Sequence, residues 1–327
     1  MYENDLNLLK DLHKAHEGRI KASEEDPIRY GFNLPGWERI KEGLQDHNEC
    51  LALGGNRSGK TTGFAKIIME SVTESNDGHI VCFSQNEDTS IKVQQAAVWE
   101  MMPKEFKKKT KSIEGYINYS MQNGFTAKSF IFPDTRTRVD FKTYTQFSNN
   151  QTILEGFEFG FPDPVGLNIG AWLDEYLGDA TLVNTLRFRL ATRDSKMGIG
   201  FTPIDGYTPF VAEYLKDVET IQTRNGELLN RQLPIRQYSP SRDASVVYLH
   251  SDENPFGGYE RIAKDLRGRP EEEILVRAYG IPVKSMTSLL PLFNTEVNVL
   301  NDKPNKYNMT FPDITDKDKF TSYHVVD

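Results

Sequence analysis

Cysteine is scarce in this chain. Only Cys50 and Cys82 occur among 327 residues, and both fall in apolar stretches that we predict to be buried strands. Two buried thiols make no disulfide framework and are typical of a protein in a reducing cytoplasm. The sequence therefore argues against the class of disulfide-stabilised secreted proteins.

Long apolar runs are missing as well. No stretch approaches the roughly 20 apolar residues that a membrane-spanning helix needs. Residues 1–18 are polar and lack the apolar core of a signal peptide, so we expect neither export nor a membrane partner. With 38% hydrophobic and 26% charged residues, the composition is that of a globular protein with one large or two medium domains.

A basic excess is also missing, because the net charge is −8. A protein that coats DNA through a broad face is usually basic, so that class is disfavoured, whereas a local basic path through a ring-shaped assembly stays open. The histidines, at positions 13, 16, 47, 79, 250 and 324, show no metal-ligand spacing. The sequence therefore offers no histidine-based metal site.

What the chain does contain is a phosphate-loop motif between a predicted strand and a predicted helix. Residues 50–53 are a short apolar run of the kind that forms a strand buried on both faces, and apolar residues recur at helical spacing from Phe64 to Val72. Between them, residues 54–61 match G-x-x-x-x-G-K-[ST] without a mismatch. The motif comprises Gly54, Gly55, Asn56, Arg57, Ser58, Gly59, Lys60 and Thr61, and Thr62 follows it.

The chemistry of such a loop explains its composition. Glycines let the backbone curl until successive N–H groups point at an anion, and the following helix adds its positive dipole end. We expect Lys60 to reach the β- and γ-phosphates of ATP, and Thr61 to place its hydroxyl on Mg²⁺. A chance match in a glycine-rich loop is the alternative, but the strand and helix around the motif favour nucleotide binding.

A pair of acids follows a second apolar stretch. Residues 167–173 are mostly apolar and lead into Asp174 and Glu175. In the site of a P-loop ATPase, Asp174 at the strand end would hold Mg²⁺ through water, and Glu175 would polarise the attacking water as general base. Asn168 and Gly170 interrupt the apolar run, and nothing in the sequence explains them.

A third polar position follows the next predicted strand. Residues 197–201 form a short apolar run that ends at Thr202 and Pro203. If this strand lies beside the acid-bearing strand, Thr202 is well placed to sense the γ-phosphate of a nucleotide. A simple turn at the strand end is the alternative.

Other segments support more than one interpretation. Residues 30–37 are aromatic and turn-rich, and they provide either an apolar shelf for adenine or ordinary core packing. The lysine run at 104–111 is either a solvated loop or a contact to the DNA backbone. Residues 224–226, Arg-Asn-Gly, predict a hairpin turn. Residues 300–319 predict a linker, and 322–327 predict the start of a strand.

The motifs together resemble those of a known family. In order and spacing, GGNRSGKT, WLDE and FTPIDGYTPF resemble the ATPase domain of the large terminase subunit of tailed bacteriophages, the motor that pumps double-stranded DNA into procapsids. EEEILVRAYGIPV and SLLPLFNTEV are similar to the family's region between motor and nuclease. The resemblance therefore covers about residues 30–327.

The resemblance implies a fold and a division of the chain. The fold is α/β, a P-loop NTPase of the ASCE or RecA-like type, with a mainly parallel central sheet flanked by helices and a small lid or linker subdomain. The implied parts are an N-terminal helix and adenine-side segment (1–45), the ATPase core (46–215), the lid or linker (216–310), and a linker with the first strand of an RNase H-like nuclease domain (311–327).

The resemblance also implies roles for the residues of the motifs. Lys60 and Thr61 match the ligands of phosphate and Mg²⁺, and Arg57 matches a basic loop residue that acts on the γ-phosphate. Asp174 matches the acid of the Mg²⁺ site, and Glu175 matches the catalytic glutamate.

The remaining matches concern movement and DNA cleavage. Thr202 and Pro203 match the motif that couples hydrolysis to movement. Asp327 falls where the nuclease domain places its first metal-binding aspartate. We expect that domain to be truncated in this chain, so no nuclease site would assemble, because two-metal cleavage needs several carboxylates.

An arginine finger is the point where the chain departs from the family. Several relatives carry an arginine shortly before the acid-bearing strand that serves the ATP of a neighbouring subunit, whereas residues 139–186 contain no arginine. We expect Arg187 or Arg189 to act in trans, with Arg136 and Arg138 as further candidates. Contacts to DNA phosphates and surface salt bridges are the alternative uses of the arginines at 187–193.

These features predict a Mg²⁺-dependent ATPase that drives translocation of double-stranded DNA as a terminase motor. The expected partners are double-stranded DNA, a portal protein, the small terminase subunit and further copies of the chain in a ring. The expected location is the cytoplasm of an infected bacterial host, transiently at the portal vertex. The alternatives are a RecA-like helicase and a nucleotide-gated portal-docking module, although a pure switch would not need Glu175 as a base.

Overall fold

Helix-spaced and continuous apolar runs alternate along the chain, and they produce alternating helices and strands in the computed structural model. It describes residues 2–108, 115–175, 180–204 and 206–283, with the backbone alone at 2–11 and 180. The predicted linker at 300–319 and the predicted strand that ends at Asp327 lie outside these ranges. So do Lys109 and Lys111 of the lysine run.

The predicted strands at 50–53, 167–173 and 197–201 and the predicted helix from Phe64 to Val72 are present, together with further elements. Helices α1 (Tyr2–Glu25), α2 (Pro27–Tyr30) and α3 (Pro35–Asp46) precede strand β1 (Glu49–Gly54) and helix α4 (Lys60–Glu74). The elements up to residue 154 are β2 (His79–Ser84), α5 (Glu87–Thr89), a π-helical turn (Ser90–Gln95), α6 (Ala96–Met101), β3 (Lys107–Lys108), β4 (Ile117–Ser120), β5 (Gly124–Phe125), β6 (Ser129–Ile131), β7 (Arg138–Thr143) and α7 (Tyr144–Asn149). The later elements are β8 (Ile169–Asp174), α8 (Ala180–Ala191), β9 (Lys196–Phe201), α9 (Pro209–Leu215), β10 (Glu219–Gly226), β11 (Arg231–Ser239), β12 (Ala244–Leu249), α10 (Tyr259–Leu266) and α11 (Glu271–Tyr279). None of the helices in the described ranges combines the length and the apolar composition needed to cross a membrane.

A large sheet organises the described part of the chain. Its strands lie in the order β10-β11-β12-β1-β9-β8-β2-β7-β6, while β3, β4 and β5 form a small second sheet. The central strands from β12 to β7 run parallel, and β6 and β11 run antiparallel to their neighbours β7 and β12. The prediction of an α/β fold with a mainly parallel central sheet is confirmed.

Both faces of the sheet are covered by helices. In β1, Cys50 and Ala52 point into one apolar cluster, and Leu51 and Leu53 point into another, because side chains of a strand alternate between its faces. Helices α3 and α4 pack on the first face, and α8 and α9 pack on the second. The strand is therefore buried along its whole length, as its continuous apolar run predicts.

The two residues that interrupt the apolar run before Asp174 have structural reasons. Asn168 Nδ2 donates a hydrogen bond to Arg193 O (2.7 Å), and Asn168 Oδ1 accepts one from Phe161 N (2.9 Å). A Cβ atom at Gly170 would lie 2.6 Å from Ser195 Oγ. The asparagine thus satisfies the backbone of two loops, and the glycine leaves room for the loop that follows α8.

The predicted hairpin turn at residues 224–226 is wrong. These residues belong to β10, and the chain turns at 227–230 before it enters β11. A Cβ atom at Gly226 would lie 2.5 Å from Leu233 Cδ1. This glycine therefore serves close packing between two strands, which an Asn-Gly pattern does not distinguish from a turn.

The sheet continues through the predicted boundary between residues 215 and 216. Strand β12 pairs directly with β1, and β10 and β11 extend the same sheet outward. A small third apolar cluster, which includes Leu233, Leu266 and Tyr279, lies against helices α10 and α11. Contacts join Met1–Val283 into one unit, and the assignment of 216–310 as a lid or linker stays a prediction.

Candidate functional site

The residues predicted from three separate motifs lie at one edge of the sheet. Strand β9 lies between β1 and β8, and all three are parallel, so their carboxyl ends meet at this edge. The phosphate-loop motif begins at Gly54, where β1 ends. Thr202 follows β9, and Asp174 and Glu175 stand at the end of β8. Parallel α/β sheets bind their ligands at this edge.

The loop between β1 and α4 is tightly turned. Gly59 has φ +88° at the start of α4, and Arg57 has φ +56°, a left-handed conformation that is uncommon for residues other than glycine. The N–H group of Asn56 donates to Arg277 O of helix α11 (2.6 Å). Ser58 Oγ is buried and has no hydrogen-bond partner among the described residues, which fits a loop shaped around an anion.

Lys60 connects the loop to the other two motifs. Its Nζ lies 2.8 Å from Thr202 Oγ1, 3.3 Å from Gly54 O and 3.8 Å from Glu175 Oε1. Burial lowers the pKa of Lys60, although the charges of Glu175 and Asp174 act in the opposite direction. The protein alone therefore compensates the buried ammonium group incompletely.

Asp174 lies beside the hydroxyl group of the loop threonine. Thr61 Oγ1 is 3.3 Å from Asp174 Oδ1 and 3.4 Å from Oδ2. Burial, with the neighbouring charge of Glu175, raises the pKa of Asp174 to about 7, against the effects of Lys60 and Thr61. Tyr144 Oη donates to the Asp174 carbonyl oxygen (2.8 Å) and holds the end of the strand in place.

Glu175 is bound on both carboxylate oxygens by one residue. Thr202 N donates to Glu175 Oε2 (3.1 Å), and Thr202 Oγ1 donates to Oε1 (3.0 Å). Since the same hydroxyl accepts from Lys60, Thr202 bridges the lysine and the glutamate. Glu175 has φ +48°, and its side chain is 41% exposed, so water can reach the carboxylate.

The oxygens of Thr61 and Asp174 fit a magnesium ion that binds together with a nucleotide. Mg²⁺ prefers oxygen ligands and is usually held by one or two carboxylates, waters and substrate phosphates. The adjacent hydroxyl and carboxylate are ligands of this kind. Within the described ranges, no cluster of three or more His, Cys, Asp or Glu side chains could hold a metal alone, so the phosphates would have to complete the shell.

An apolar cavity of about 280 Å³ lies beside the loop. Its lining includes Phe32, Leu34, Trp37, Gly59, Thr62 and Phe256. Trp37 is part of the core and donates its Nε1–H to Gly59 O (3.0 Å), whereas Phe32 and Phe256 are 64% and 61% exposed with ring centroids 4.3 Å apart. Both interpretations of residues 30–37 thus have a structural counterpart, core packing at Trp37 and an apolar shelf at Phe32.

Three further residues contact the site although no sequence pattern marks them. Ser251 Oγ donates to Asn56 O (2.7 Å), and Asn254 Nδ2 donates to Arg57 O (2.8 Å). Tyr144 is the third, through its hydrogen bond to the end of β8. Ser251 and Asn254 lie 195 and 197 residues along the chain from their partners, and no local pattern marks such contacts.

Arg187 lies at the opposite edge of the sheet, where β1 begins. Its guanidinium group binds both oxygens of Glu49, with Nη2 2.8 Å from Oε2 and Nε in closer contact with Oε1. Tyr214 Oη donates to the same carboxylate (2.6 Å). The hydrogen bond to Glu49 raises the pKa of Arg187 above its ordinary value. This candidate for a trans-acting finger is thus held within its own subunit.

The other arginine candidates differ in how they are bound. Arg189 is half-buried and forms no ion pair with an acidic side chain of the described residues. Arg136 is exposed and lies 2.8 Å from Asp77, and Arg138 Nε lies 2.8 Å from Asp140 Oδ1.

The described lysines of the run at 104–111 contact neighbouring side chains. The contacts are Lys104 with Glu25, Lys107 with the ring of Trp99, and Lys108 with the ring of Tyr116. This part of the run therefore packs on the protein.

No protein-family model and no curated protein matches this chain. A buried cation, two adjacent acids and a bridging threonine lie around the glycine-rich loop at the carboxyl edge of a parallel sheet. Such a set can neutralise an anion and can place a carboxylate beside a water molecule.

Proposed function

We propose that the chain is a P-loop NTPase of the RecA-like type that hydrolyses ATP with Mg²⁺. The observation that carries this proposal is the convergence, at one edge of the sheet, of residues from three distant stretches: Lys60, Thr61, Asp174, Glu175 and Thr202. Phosphoryl transfer needs positioning and charge neutralisation more than covalent chemistry. These residues supply a cation, oxygen ligands for a metal ion and a general base.

The loop would bind the phosphate chain of the nucleotide. Lys60 would exchange its hydrogen bonds with Gly54 O and Thr202 for hydrogen bonds with the β- and γ-phosphates. The phosphates would compensate the charge of the buried ammonium group, which the protein alone compensates incompletely. Arg57, whose side chain is exposed at the loop, would contact the γ-phosphate. The adenine base of the nucleotide would then extend past Thr62 toward the apolar cavity that Phe32 lines.

Glu175 would act as the general base on water. Both of its carboxylate oxygens are engaged by Thr202, which also accepts from Lys60. When Lys60 turns to the phosphates, the hydrogen bonds of Thr202 are rearranged, and the carboxylate can accept a proton from water. Thr202 would thus couple the presence of the γ-phosphate to the availability of the base. Mg²⁺ held by Thr61 and Asp174 would neutralise charge on the phosphate oxygens.

We further propose that hydrolysis drives translocation of double-stranded DNA, in the manner of the large terminase subunits that the motifs resemble. The partners would be DNA, a portal protein, the small terminase subunit and further copies of the chain in a ring. Among the arginine candidates, the proposal favours Arg189 as the trans-acting finger, because Arg187 is occupied by Glu49 whereas Arg189 has no described ion pair.

The ATPase proposal is tested by turnover of Mg²⁺–ATP with the Lys60→Ala and Glu175→Gln variants. Both are expected to lose activity by about two to three orders of magnitude, since each removes a group aimed at the transition state. Lys264→Ala and Glu105→Gln, which change exposed residues away from the site, are the matched controls and should retain wild-type turnover. Wild-type turnover in either site variant would refute the assignment of the site.

The motor proposal needs a separate test. ATP-dependent displacement of a third strand from a DNA triplex reports translocation along duplex DNA, whereas separation of a forked duplex reports a helicase. We expect displacement without unwinding, and the reverse result would favour a helicase. Specific activity should rise with protein concentration if a neighbour completes the site, because a finger in trans contributes about 10³-fold or more to the rate.

A further inference from the structure

Arg57 lies in a backbone conformation that is unfavourable for residues other than glycine. Its φ of +56° falls in the left-handed region, where residues that carry a Cβ atom are strained. Such a conformation persists where surrounding contacts hold it. The contacts that reach the carbonyl oxygen of Arg57 therefore show what stabilises the shape of the loop.

These contacts come from the segment between β12 and α10, residues 251–258, which we call the clamp segment. Asn254 Nδ2 donates to Arg57 O (2.8 Å), and Ser251 Oγ donates to Asn56 O (2.7 Å). Asn254 Oδ1 accepts from Phe256 N (3.1 Å), so the amide is oriented with its NH₂ group toward the loop. The two neighbouring carbonyl groups of the loop are thus each held by a side chain from a distant part of the sequence.

The clamp segment also fits closely over the loop. A Cβ atom at Gly257 would lie only 2.5 Å from Arg57 O, so a larger residue there would push against this carbonyl group. Ser251 is fully buried, and Asn254 is nearly so. The approach is therefore close enough to select one conformation of the peptide at Arg57.

We propose that the clamp segment positions the phosphate loop: Asn254, assisted by Ser251, holds the Arg57 peptide in its left-handed conformation and so preorganises the loop for a triphosphate. The functional consequence rests on the ATPase proposal above. Asn254 also lines the apolar cavity, but its NH₂ group, like the hydroxyl of Ser251, is bound to a loop carbonyl group, whereas an anion is bound by N–H groups. Their effect on phosphate binding is therefore exerted through the loop. They are positioning residues, and preorganisation is what they contribute to affinity.

The test begins with Asn254→Asp, which keeps the shape and the acceptor for Phe256 N but removes the donor to Arg57 O. Two quantities are measured: the affinity for a fluorescent ATP analogue with Mg²⁺, and amide hydrogen exchange of residues 55–59 in the protein without nucleotide. We expect at least about tenfold weaker binding and at least about tenfold faster exchange, because the change removes one well-placed hydrogen bond and places a carboxylate against the Arg57 carbonyl oxygen.

A rescue variant separates positioning from general destabilisation. Glycine adopts positive φ without strain, so in an Arg57→Gly background the added Asn254→Asp change should alter the amide exchange of residues 55–59 by less than about twofold. Asn230→Gly is the matched control, because Asn230 has φ +46° in the hairpin turn that follows β10. Glycine at 230 should not rescue Asn254→Asp.

Each outcome decides the proposal. Unchanged exchange of residues 55–59 in Asn254→Asp overturns it, and so does an equal increase in their exchange with and without Arg57→Gly. If the wild-type protein binds no nucleotide but the exchange effect and its rescue are observed, the ATPase proposal fails and the clamp stands. If Asn254→Asp does not fold, Ser251→Ala and Gly257→Ala provide the same test, because each disturbs one of the two clamped carbonyl groups.

Discussion

The two edges of the central sheet both bury charged side chains, but they balance the charges in opposite ways. At the carboxyl edge, burial lowers the pKa of Lys60 and raises that of Asp174 to about 7, so each group is shifted toward its neutral form. At the amino edge, the hydrogen bond to Glu49 raises the pKa of Arg187, so that group is shifted toward its charged form. Lys60 and Asp174 at one edge are separated from Glu49 and Arg187 at the other by the length of β1, roughly 17 Å.

The difference distinguishes two uses of a buried charge. A pair whose members fully engage each other, as Glu49 and Arg187 do, serves the packing of β1 against α8 and α9. A cation and an acid that are both shifted toward neutrality gain more from a ligand that brings the missing charge. The carboxyl edge is therefore the candidate site, and its charges are expected to contribute to function at the expense of stability.

The largest expected effect is that of Lys60→Met. Under the ATPase proposal, turnover of ATP should fall about a thousandfold, because the cation that would face the phosphates is lost. The free energy of unfolding without nucleotide should rise, since methionine has a similar length and no buried charge. Urea unfolding and ATP turnover measure the two quantities. A marked loss of stability would show that Lys60 is a structural residue and would remove the contrast between the edges.

Glu49→Gln tests the other side of the comparison. Breaking this partly buried pair should lower the free energy of unfolding by about 2 kcal/mol, because Arg187 keeps its charge without a full partner. Turnover measured well below the unfolding transition should stay within about twofold of wild type. A tenfold loss of turnover with unchanged stability would instead connect the amino edge to the chemistry.

His250, at the carboxyl edge after β12, predicts a pH effect of intermediate size. It is fully buried with Nδ1 unpartnered among the described residues, and burial lowers its pKa from 6.5 to about 4, against the charges of Glu253 and Asp252. The unfolded chain takes up the proton below pH 6.5, whereas the folded chain does so only near pH 4. Stability is therefore lost as the pH falls through this window, by about 2 kcal/mol at pH 5.

The His250→Gln variant measures this contribution. Because glutamine does not titrate, the difference in unfolding free energy between pH 7 and pH 5 should be smaller in the variant than in the wild type. His16→Gln, a change at an exposed position of α1, is the control and should keep the wild-type difference. Equal differences in wild type and His250→Gln would show that the histidine is not held neutral.

The smallest effect is expected from Arg136→Ala. Arg136 pairs with Asp77 at the same edge of the sheet as Glu49, but the pair is exposed to solvent. Exposed ion pairs contribute little, so the free energy of unfolding should change by less than about 1 kcal/mol. Turnover should be unchanged at every protein concentration. A loss that grows with protein concentration would instead identify Arg136 as the finger that acts in trans.

The glycine-rich loop and the strand that ends at the acid pair could be predicted because their patterns are local. A strand, a glycine-rich turn and a helix follow one another between Glu49 and Glu74, and the apolar run before Asp174 predicts a strand that ends at the acids. The position of Thr202 required one further condition, that its strand lie beside the acid-bearing strand. The sheet order meets this condition.

Other features could not be predicted, because they depend on contacts between distant stretches. Glu49 and Arg187 are 138 residues apart, and Asn254 and Arg57 are 197 apart, so neither pair forms a pattern within one segment. The Asn-Gly pattern at Gly226 resembles a turn, but a glycine is needed there because the side chain of Leu233 on the next strand leaves no room for a Cβ atom.

Local order along the chain was sufficient to predict strands β1, β8 and β9, helix α4, the glycine-rich turn and the residue types able to bind a phosphate. Folding in three dimensions was needed to bring Thr202 between Lys60 and Glu175, to occupy Arg187 with Glu49, and to place the clamp segment over the loop. The physical reason is the distance along the chain over which each kind of interaction acts. Helix and strand periodicity arises from neighbouring residues, whereas burial and charge compensation depend on side chains that meet when the sheet assembles.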